Sequence, residues 1–582
     1  MARLPQFDSA RIDRFAWVIL TVACVGIAFA MRGYTFDDAY ITFRAARNFA
    51  DGHGLVFNPG ERYQTTSAPG YALLLAAFCR VFGPGPVPGL ATLLSATGLL
   101  GGATALYEIG RSRNSRIAGL LAGLFFALSL SNSAAFTNET LPQVALILWG
   151  FALILRGNTL ASSWLLLAAT LMRPDGLMAA AIGLVAMHYV AKRLLWRETA
   201  ILVCGIGLAA LALYLSFGYI LPTTMEAKQA QVIGREGQIT PFLEGLSGFF
   251  RTATGYYSES GFVQLAGLFF CVLLMLNRYW LPVAAWATCH LVFYAYHRIA
   301  FYHWYAVAPG VGLSVAAGLL PTGTARLGTS GALHRALVPL TWLLVVGFIG
   351  WLVMEGFDYF RFGQFVPATL AASIAAALVA AYACFRFASL LPTLALRVTP
   401  EMVTKLTYAV AAVWTAVFAL AEFRQVGTSI LAGRDAAHSD KIALYQSVGR
   451  WLDTHLPPGS RVGYSEIGIV GWEAPHISFI DPLGLGSPHM LSNVRRGRAL
   501  QNIVDANPDA VIIYPPLTGL MRDRPSTFFP PNQTTPYTNF QAYLAGMTDW
   551  LHGKYHVEYR DGPCEVWVRN RQQSADESTS GG

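Results

Sequence analysis

A chain of 582 residues that is 54% hydrophobic and only 13% charged, with a mean hydropathy of +0.44, does not have the composition of a water-soluble protein. Soluble domains run about 45–50% apolar and about 25% charged, so most of this chain is expected in lipid. The net charge of +8 and pI near 9.1 do not call for nucleic acid, because Lys/Arg bias toward cytoplasmic loops gives a membrane protein the same excess.

The first apolar run, 14–31, follows a segment with both acidic and basic residues and no small-residue cleavage site. It is therefore expected to be a retained span rather than a signal peptide. A spanning helix needs about 20 mostly apolar residues. Further candidates are 90–110, 117–131, 140–155, 160–172, 176–191, 199–218, 262–277, 281–297, 304–320, 336–355, 369–385 and 405–423. Together they predict a mainly α, polytopic membrane protein of about 13 transmembrane helices. The run 68–82 is short and bounded by Pro69 and Gly83-Pro84. Counting it as a span would move Arg111, Arg113 and Arg116 outside, against the positive-inside rule, so it is expected to be interfacial or re-entrant.

With the N-terminus in the cytoplasm, the inner loops collect those arginines together with Arg156, Lys192, Arg193 and Arg197. The outer face receives the loop 32–67, Asn132 to Glu139, Arg173-Pro174-Asp175, the loop 219–260, 297–305 and everything beyond about residue 424. Nearly every acidic, His-bearing and aromatic loop falls on that side, so the working face is expected to be external. From residue 424 to 570 the composition shifts to that of a soluble α/β domain, with a helix at 441–456 and strands at 461–464, 477–480, 510–514, 556–559 and 565–568. Its distance from the acidic first loop predicts a part in acceptor choice more than in donor chemistry. The tail 571–582 reads as disordered. The seven cysteines are scattered, with no disulfide framework and no CxxC pair.

The first outer loop, 32–67, carries the adjacent carboxylates Asp37 and Asp38. Neighbours on a helix point about 100° apart, so one can face a reacting hydroxyl while the other caps the helix from Ala39 to Ala50. Asp37 is expected to react and Asp38 to cap. Glu61-Arg62 follows a Pro-Gly turn, as a surface ion pair or an anion site. Glu139 sits at the outer mouth of a span, where an acid is costly unless paired or wet. Arg173 is either a phosphate ligand or the partner of Asp175. Lys228 and Arg298 are further external cations, and Tyr302-His303-Trp304 lies in an aromatic cluster at the membrane boundary. His53, His297 and His303 do not have a metal-ligand spacing such as HExxH, so no metal is expected. No P-loop is present, and no GxGxxG stands in a strand-turn-helix setting, so a soluble nucleotide donor is not expected.

Phe36-Asp37-Asp38-Ala39-Tyr40, then Arg44, Asn48 and Gly52-His53-Gly54-Leu55-Val56-Phe57-Asn58-Pro59-Gly60-Glu61-Arg62, resembles the first external loop of GT-C glycosyltransferases. The nearest branch contains the mycobacterial terminal arabinofuranosyltransferase. Glu139, Arg173-Pro174-Asp175-Gly176, Leu221-Pro222-Thr223 with Ala227-Lys228, and Ile480-Asp481-Pro482-Leu483-Gly484-Leu485 also match that pattern. The resemblance implies a polyprenyl-phosphate-linked sugar donor, such as arabinofuranose or another pentose or hexose. It implies transfer to a cell-envelope glycan or protein acceptor on the periplasmic face of a bacterial inner membrane, with a first-loop aspartate at the reaction centre. Tyr63-Gln64-Thr65-Thr66-Ser67 departs from the glutamate-containing version of the pattern, which leaves sugar and acceptor open. Such chemistry needs a carboxylate to take the acceptor proton and cations to hold the departing phosphate. Arg62, Arg173, Lys228 and Arg298 are the candidate phosphate ligands, and Tyr40, Tyr302 and Trp304 are candidate sugar-stacking rings. The alternative, a polyprenyl-linked sugar or lipid transporter, would place charges near mid-bilayer and break helices in pairs.

Overall fold

The computed structural model describes residues 9–112, 115–220, 222–234, 241–246, 279–319, 436–486, 488–514, 517–522 and 540–570. The predicted spans 262–277, 336–355, 369–385 and 405–423, together with Arg113, Leu221 and the tail 571–582, lie outside the described residues.

The described chain is mostly helical. In order it forms α1 (Ser9–Ala30), α2 (Asp37–Ala50), α3 (Pro69–Phe82), α4 (Val87–Arg111), α5 (Arg116–Leu128), the short α6 (Leu130–Ser133), α7 (Thr140–Leu155), α8 (Thr159–Met172), α9 (Gly176–Ala191), α10 (Trp196–Phe217) and α11 (Thr223–Gly234). The helices Leu281–Tyr296, Val307–Leu319 and Ala436–His455 follow. Three helices are long and apolar enough to cross a membrane: Ala10–Ala30, Val87–Arg111 and Trp196–Phe217. The other predicted spans in the described region form apolar helices of 17 residues or fewer, shorter than a crossing of the full hydrocarbon thickness needs. Small residues let these helices close up. A Cβ on Gly98 of α4 would lie 2.5 Å from the Leu141–Pro142 backbone of α7, and one on Gly110 would lie 2.6 Å from Gly119 of α5.

Charges sort to the two ends of the bundle. At one end Asp13 of α1 accepts from Tyr107 Oη at 2.6 Å and Arg116 Nε at 2.8 Å. Glu108, nearly fully buried, pairs with Arg111 at 2.9 Å and with Arg156. The start of α1 thus meets the end of α4, the start of α5 and the end of α7. It follows that α4 begins at the opposite end, beside α2. Since α3 joins α4 through residues 83–86, and Tyr71, Cys79, Val87 and Ala91 share one buried cluster with α2, α3 returns to the end from which it started.

Residues 436–570 build a five-stranded sheet of order β2-β1-β3-β5-β4, from β1 (Arg461–Gly463), β2 (Ser478–Ile480), β3 (Ala510–Ile513), β4 (Tyr555–Asp561) and β5 (Cys564–Arg569). The first three are parallel, and β5 runs antiparallel to both β3 and β4. All four residues of β3 are buried, as a central strand covered on both faces requires.

This sheet unit does not stand apart from the helical bundle: α2 and the segment after it share its hydrophobic core. Arg44 of α2 is fully buried and donates from Nε to Phe57 O at 2.9 Å, from Nη1 to Gly471 O and to Ala474 O at 3.0 Å, and from Nη2 to Ile477 O at 2.5 Å. Asn58 pairs like a strand neighbour with Phe479, donating to its carbonyl at 2.8 Å and accepting from its N–H at 2.9 Å. Replacing Arg44 with Met would take a donor from all four carbonyls, of which Phe57 O keeps Asn48 Nδ2 and Ala474 O keeps Ile477 N, at a cost of about 3–5 kcal/mol. Thermal unfolding of the purified, detergent-solubilised protein, with proteolysis of the 436–570 unit as a second readout, should register that loss. Lys at this position should recover less than half of it, because one ammonium cannot replace the planar fork. A wild-type melting temperature in Arg44→Met would refute the anchoring role.

Candidate active site

The start of α2 is shaped by its surroundings rather than by its own capping. Its N-cap is Phe36, whose side chain offers no hydrogen bond, and Asp37 and Asp38 occupy the first helical positions. Neither aspartate therefore caps the helix as expected, though carboxylates in a first turn do favour the helix dipole. The two side chains diverge. Asp37 turns to the sheet unit and accepts from Gly468 N at 2.9 Å and Ile469 N at 2.7 Å. A Cβ on Gly468 would lie 1.8 Å from the Asp37 carbonyl oxygen, so this contact requires glycine.

Asp38 turns the other way and lines a small, open cleft at the mouth of the bundle. Thr42 from α2, Thr65, Thr66 and Tyr71 before and within α3, Glu139, and Lys228 of α11 share the cleft, closed by Trp304 and Leu485. The turn that presents Asn138 and Glu139 holds Thr137 at φ +71°, a left-handed conformation that a β-branched residue rarely adopts. Trp304 is fixed between Phe36 and Tyr302, stacked at ring-centroid distances of 5.2 and 4.8 Å. Leu485 reaches the cleft because Asp481, also buried, accepts from Leu483 N at 2.9 Å and Leu485 N at 2.8 Å and so folds the loop after β2.

Lys228 is buried, and its Nζ donates to Tyr305 Oη at 3.1 Å. The ammonium sits 4.2 Å from the Tyr302 ring centre, 5.2 Å from Tyr305 and 5.3 Å from Trp304, a cation held by aromatic faces. Among the described residues no carboxylate lies within 4.0 Å of it. The helix α11 is set in place by contacts that include Thr223 Oγ1 donating to Gln64 O at 3.2 Å and Gln229 Nε2 donating to His297 O at 3.1 Å. Burial raises the pKa of Asp38, with Lys228 the strongest opposing influence and Glu466 and Glu139 adding to the rise. Burial, then Glu466, pushes Asp37 up to about 7.

The other predicted site residues divide. Glu139 lines the cleft but is paired with buried Arg173 at 3.2 Å. Arg173 also meets Asp175 at 3.3 Å and donates to Tyr294 Oη at 3.2 Å, so it is the internal ion-pair partner rather than a free phosphate ligand. Tyr302 stands behind Lys228, and His303 meets Phe36 edge-on at 5.7 Å. Arg62 and Arg298 are exposed and do not line the cleft, and His53 is exposed on a turn. Tyr40 packs on Trp472, away from the cleft, and Glu61 accepts from Asn58 Nδ2 at 3.2 Å. The sequence reading missed Thr42, Thr65, Thr66 and Tyr71 as cleft residues, since nothing in a run of neutral hydroxyls marks them.

A family model for a domain of unknown function (DUF8728) matches residues 435–566, which covers most of the sheet unit. No curated protein sequence matches the chain. Among solved structures, ArnT from Cupriavidus metallidurans bound to undecaprenyl phosphate is similar at a TM-score of 0.49 and 16% identity, covering 96% of this chain and 98% of that one. The apo oligosaccharyltransferase of Archaeoglobus fulgidus is similar at 0.44 and 11%, over 87% and 70% of the two chains. The arabinosyltransferase EmbB from Mycobacterium smegmatis is similar at 0.39 and 16%, over 75% and 42%. Likenesses this distant do not fix an activity.

The raised Asp37 and Asp481 give a signed pH dependence. Burial pushes both from 3.8 to about 7 in the folded protein. Between those values the folded state holds protons that the unfolded state has released, so their contribution to stability is greatest below pH 4 and is lost as pH rises through 7. Melting temperature measured from pH 4 to 8 should fall less steeply in Asp37→Asn and in Asp481→Asn than in the wild type. Unchanged slopes in both variants would rule out these two groups as its source.

Proposed function

We propose that this chain is an integral-membrane glycosyltransferase of the GT-C type, using a polyprenyl-phosphate-linked sugar as donor at the cleft around Asp38. The observation that carries the reading is the pairing, in one cleft, of the half-buried carboxylate of Asp38 with a buried ammonium that has no close carboxylate partner among the described residues. A sugar phosphodiester presents the matching needs: an anion to be held as it leaves and a hydroxyl proton to be accepted. The resemblance of the first outer loop to that of GT-C enzymes supports the same assignment.

In the proposed reaction an acceptor hydroxyl attacks the anomeric carbon as its bond to the phosphate oxygen breaks. Asp38 takes the hydroxyl proton, and its raised pKa makes it a stronger base than a solvated aspartate. The departing phosphate comes to rest against Lys228, whose aromatic surround excludes water and keeps the charge effective. Asp37 holds the sheet unit against α2 through two amides, so in this reading the reacting group is Asp38 and not Asp37. Arg173 neutralises and orients Glu139. The outer, acidic end of the bundle is taken as the periplasmic face of a bacterial inner membrane, with the N-terminus in the cytoplasm. An arabinofuranosyl or other neutral pentosyl or hexosyl group goes to a cell-envelope glycan or protein.

Membranes carrying the protein, incubated with radiolabelled polyprenyl-phosphate sugar, should transfer label to an extracted glycan or protein. Asp38→Asn should lower the rate on the order of 100-fold with donor binding retained. Lys228→Met should instead weaken donor binding by roughly 10-fold or more. Asp37→Asn should act mainly through stability. Wild-type turnover in Asp38→Asn would sink the assignment of the base.

A further inference from the structure

We propose that the wall of the cleft formed by Thr65 and Tyr71 is a recognition site for the hydroxyl groups of an uncharged sugar. This deepens the reading of the cleft as a lipid-phosphate-sugar site and rests on it. Thr65 is 4% exposed and Tyr71 fully buried; both line the cleft, and neither hydroxyl has a hydrogen-bond partner among the described residues. A buried hydroxyl without a partner is costly, and native structures seldom leave two in the lining of one cleft unless a ligand or water completes them. Their neighbours in the wall are already spent. Thr42 and Thr66 bond each other through their hydroxyls at 2.9 Å, and Thr66 Oγ1 also accepts from Ala68 N at 3.1 Å.

The charge pattern of the cleft restricts what completes these two groups. Lys228 supplies its cation, and Asp38 and Glu139 supply two carboxylates, one of them already neutralised by Arg173. The Thr65–Tyr71 wall adds no ionisable group of ordinary pH range. An acidic sugar would meet the carboxylates, and an amino sugar would neutralise the base that the reaction needs. A neutral ring places its phosphate toward Lys228 and its hydroxyls toward Thr65 and Tyr71 without either conflict. Each hydroxyl can both donate and accept, so two of them read a pair of sugar hydroxyls in either sense.

The test uses the purified full-length protein and three probes: a polyprenyl phosphate, its arabinofuranosyl ester as the neutral-sugar donor, and an amino-sugar ester. Binding is read from the fluorescence of Trp304 and its neighbours in wild type, Tyr71→Phe and Thr65→Val, with Thr65→Ser as the conservative control. The neutral-sugar donor should bind the wild type on the order of tenfold more tightly than the polyprenyl phosphate alone, and Tyr71→Phe and Thr65→Val should each remove most of that increment. Both variants should bind the bare polyprenyl phosphate as the wild type does, and Thr65→Ser should keep the increment. Because the removed hydroxyls have no partner in the protein, melting temperature should not fall in Tyr71→Phe. Failure of the wild type to bind any polyprenyl phosphate overturns the reading of the cleft itself. Binding of the bare phosphate with no sugar increment, an equal or larger increment from the amino sugar, or a Tyr71→Phe loss shared by all probes overturns the hydroxyl site while leaving the cleft reading intact.

Discussion

The guanidinium of Arg44, enclosed where the first outer helix meets the sheet unit, is the constraint on which the rest of the arrangement depends. A buried cation is tolerated only if its donors are met, and here they are met by backbone carbonyls of Phe57, Gly471, Ala474 and Ile477 rather than by a carboxylate. Three of those carbonyls belong to a segment more than 420 residues away in the chain. The guanidinium also lies 4.5 Å from the Phe57 ring centre, so its flat face is covered as well as its edges. With its fork fixed on both units, the orientation of α2 against the sheet unit is fixed, and with it the divergence of Asp37 and Asp38.

That divergence separates two tasks that the sequence places side by side. Asp37 receives two amides at the start of the short helix Gly468–Glu473 and serves as a joint. Asp38 is left with an environment that disfavours its charge and two cations, Lys228 and then Lys441, that favour it. The cleft is consequently a shared product of distant parts: α2, the segment 65–67, the strained turn at Thr137, α11, the aromatic turn at Trp304, and the Asp481–Leu485 loop. The sheet unit, expected to serve acceptor choice more than donor chemistry, also borders the cleft proposed to hold the donor. Its Leu485 closes the cleft and its Glu466 raises both aspartates.

The opposite end of the bundle uses the same physics with its charges paired. Asp13, Glu108, Arg111, Arg116 and Arg156 form a network in which each acid meets more than one arginine. Such a network holds the ends of α1, α4, α5 and α7 together, whereas the polar groups around Asp38 are only partly matched within the protein. Satisfied charge at one end and unsatisfied charge and hydroxyls at the other is the contrast that separates scaffold from site.

Apolar runs and their Pro/Gly punctuation were enough, in the sequence alone, to place the helices 90–110, 140–155, 160–172 and 176–191 within a few residues, because an apolar surrounding leaves a hydropathy record along a helix. The five strands were legible for the same reason, as short β-branched runs between turns. Lys228 and Glu139 stood out as charges at the edge of apolar segments, where an ionisable group is expensive. What the sequence could not decide was which neighbour of the Asp37-Asp38 pair faces the cleft. A helix start fixes only the angle between the two side chains, and the packing of Gly468 against Asp37 chooses the direction. Nor could it tell the exposed Arg62 and Arg298 from the buried Lys228, since one charged letter carries no record of its surroundings. Thr65 and Tyr71 were invisible for a further reason: a hydroxyl becomes informative only when folding removes its water and supplies no replacement.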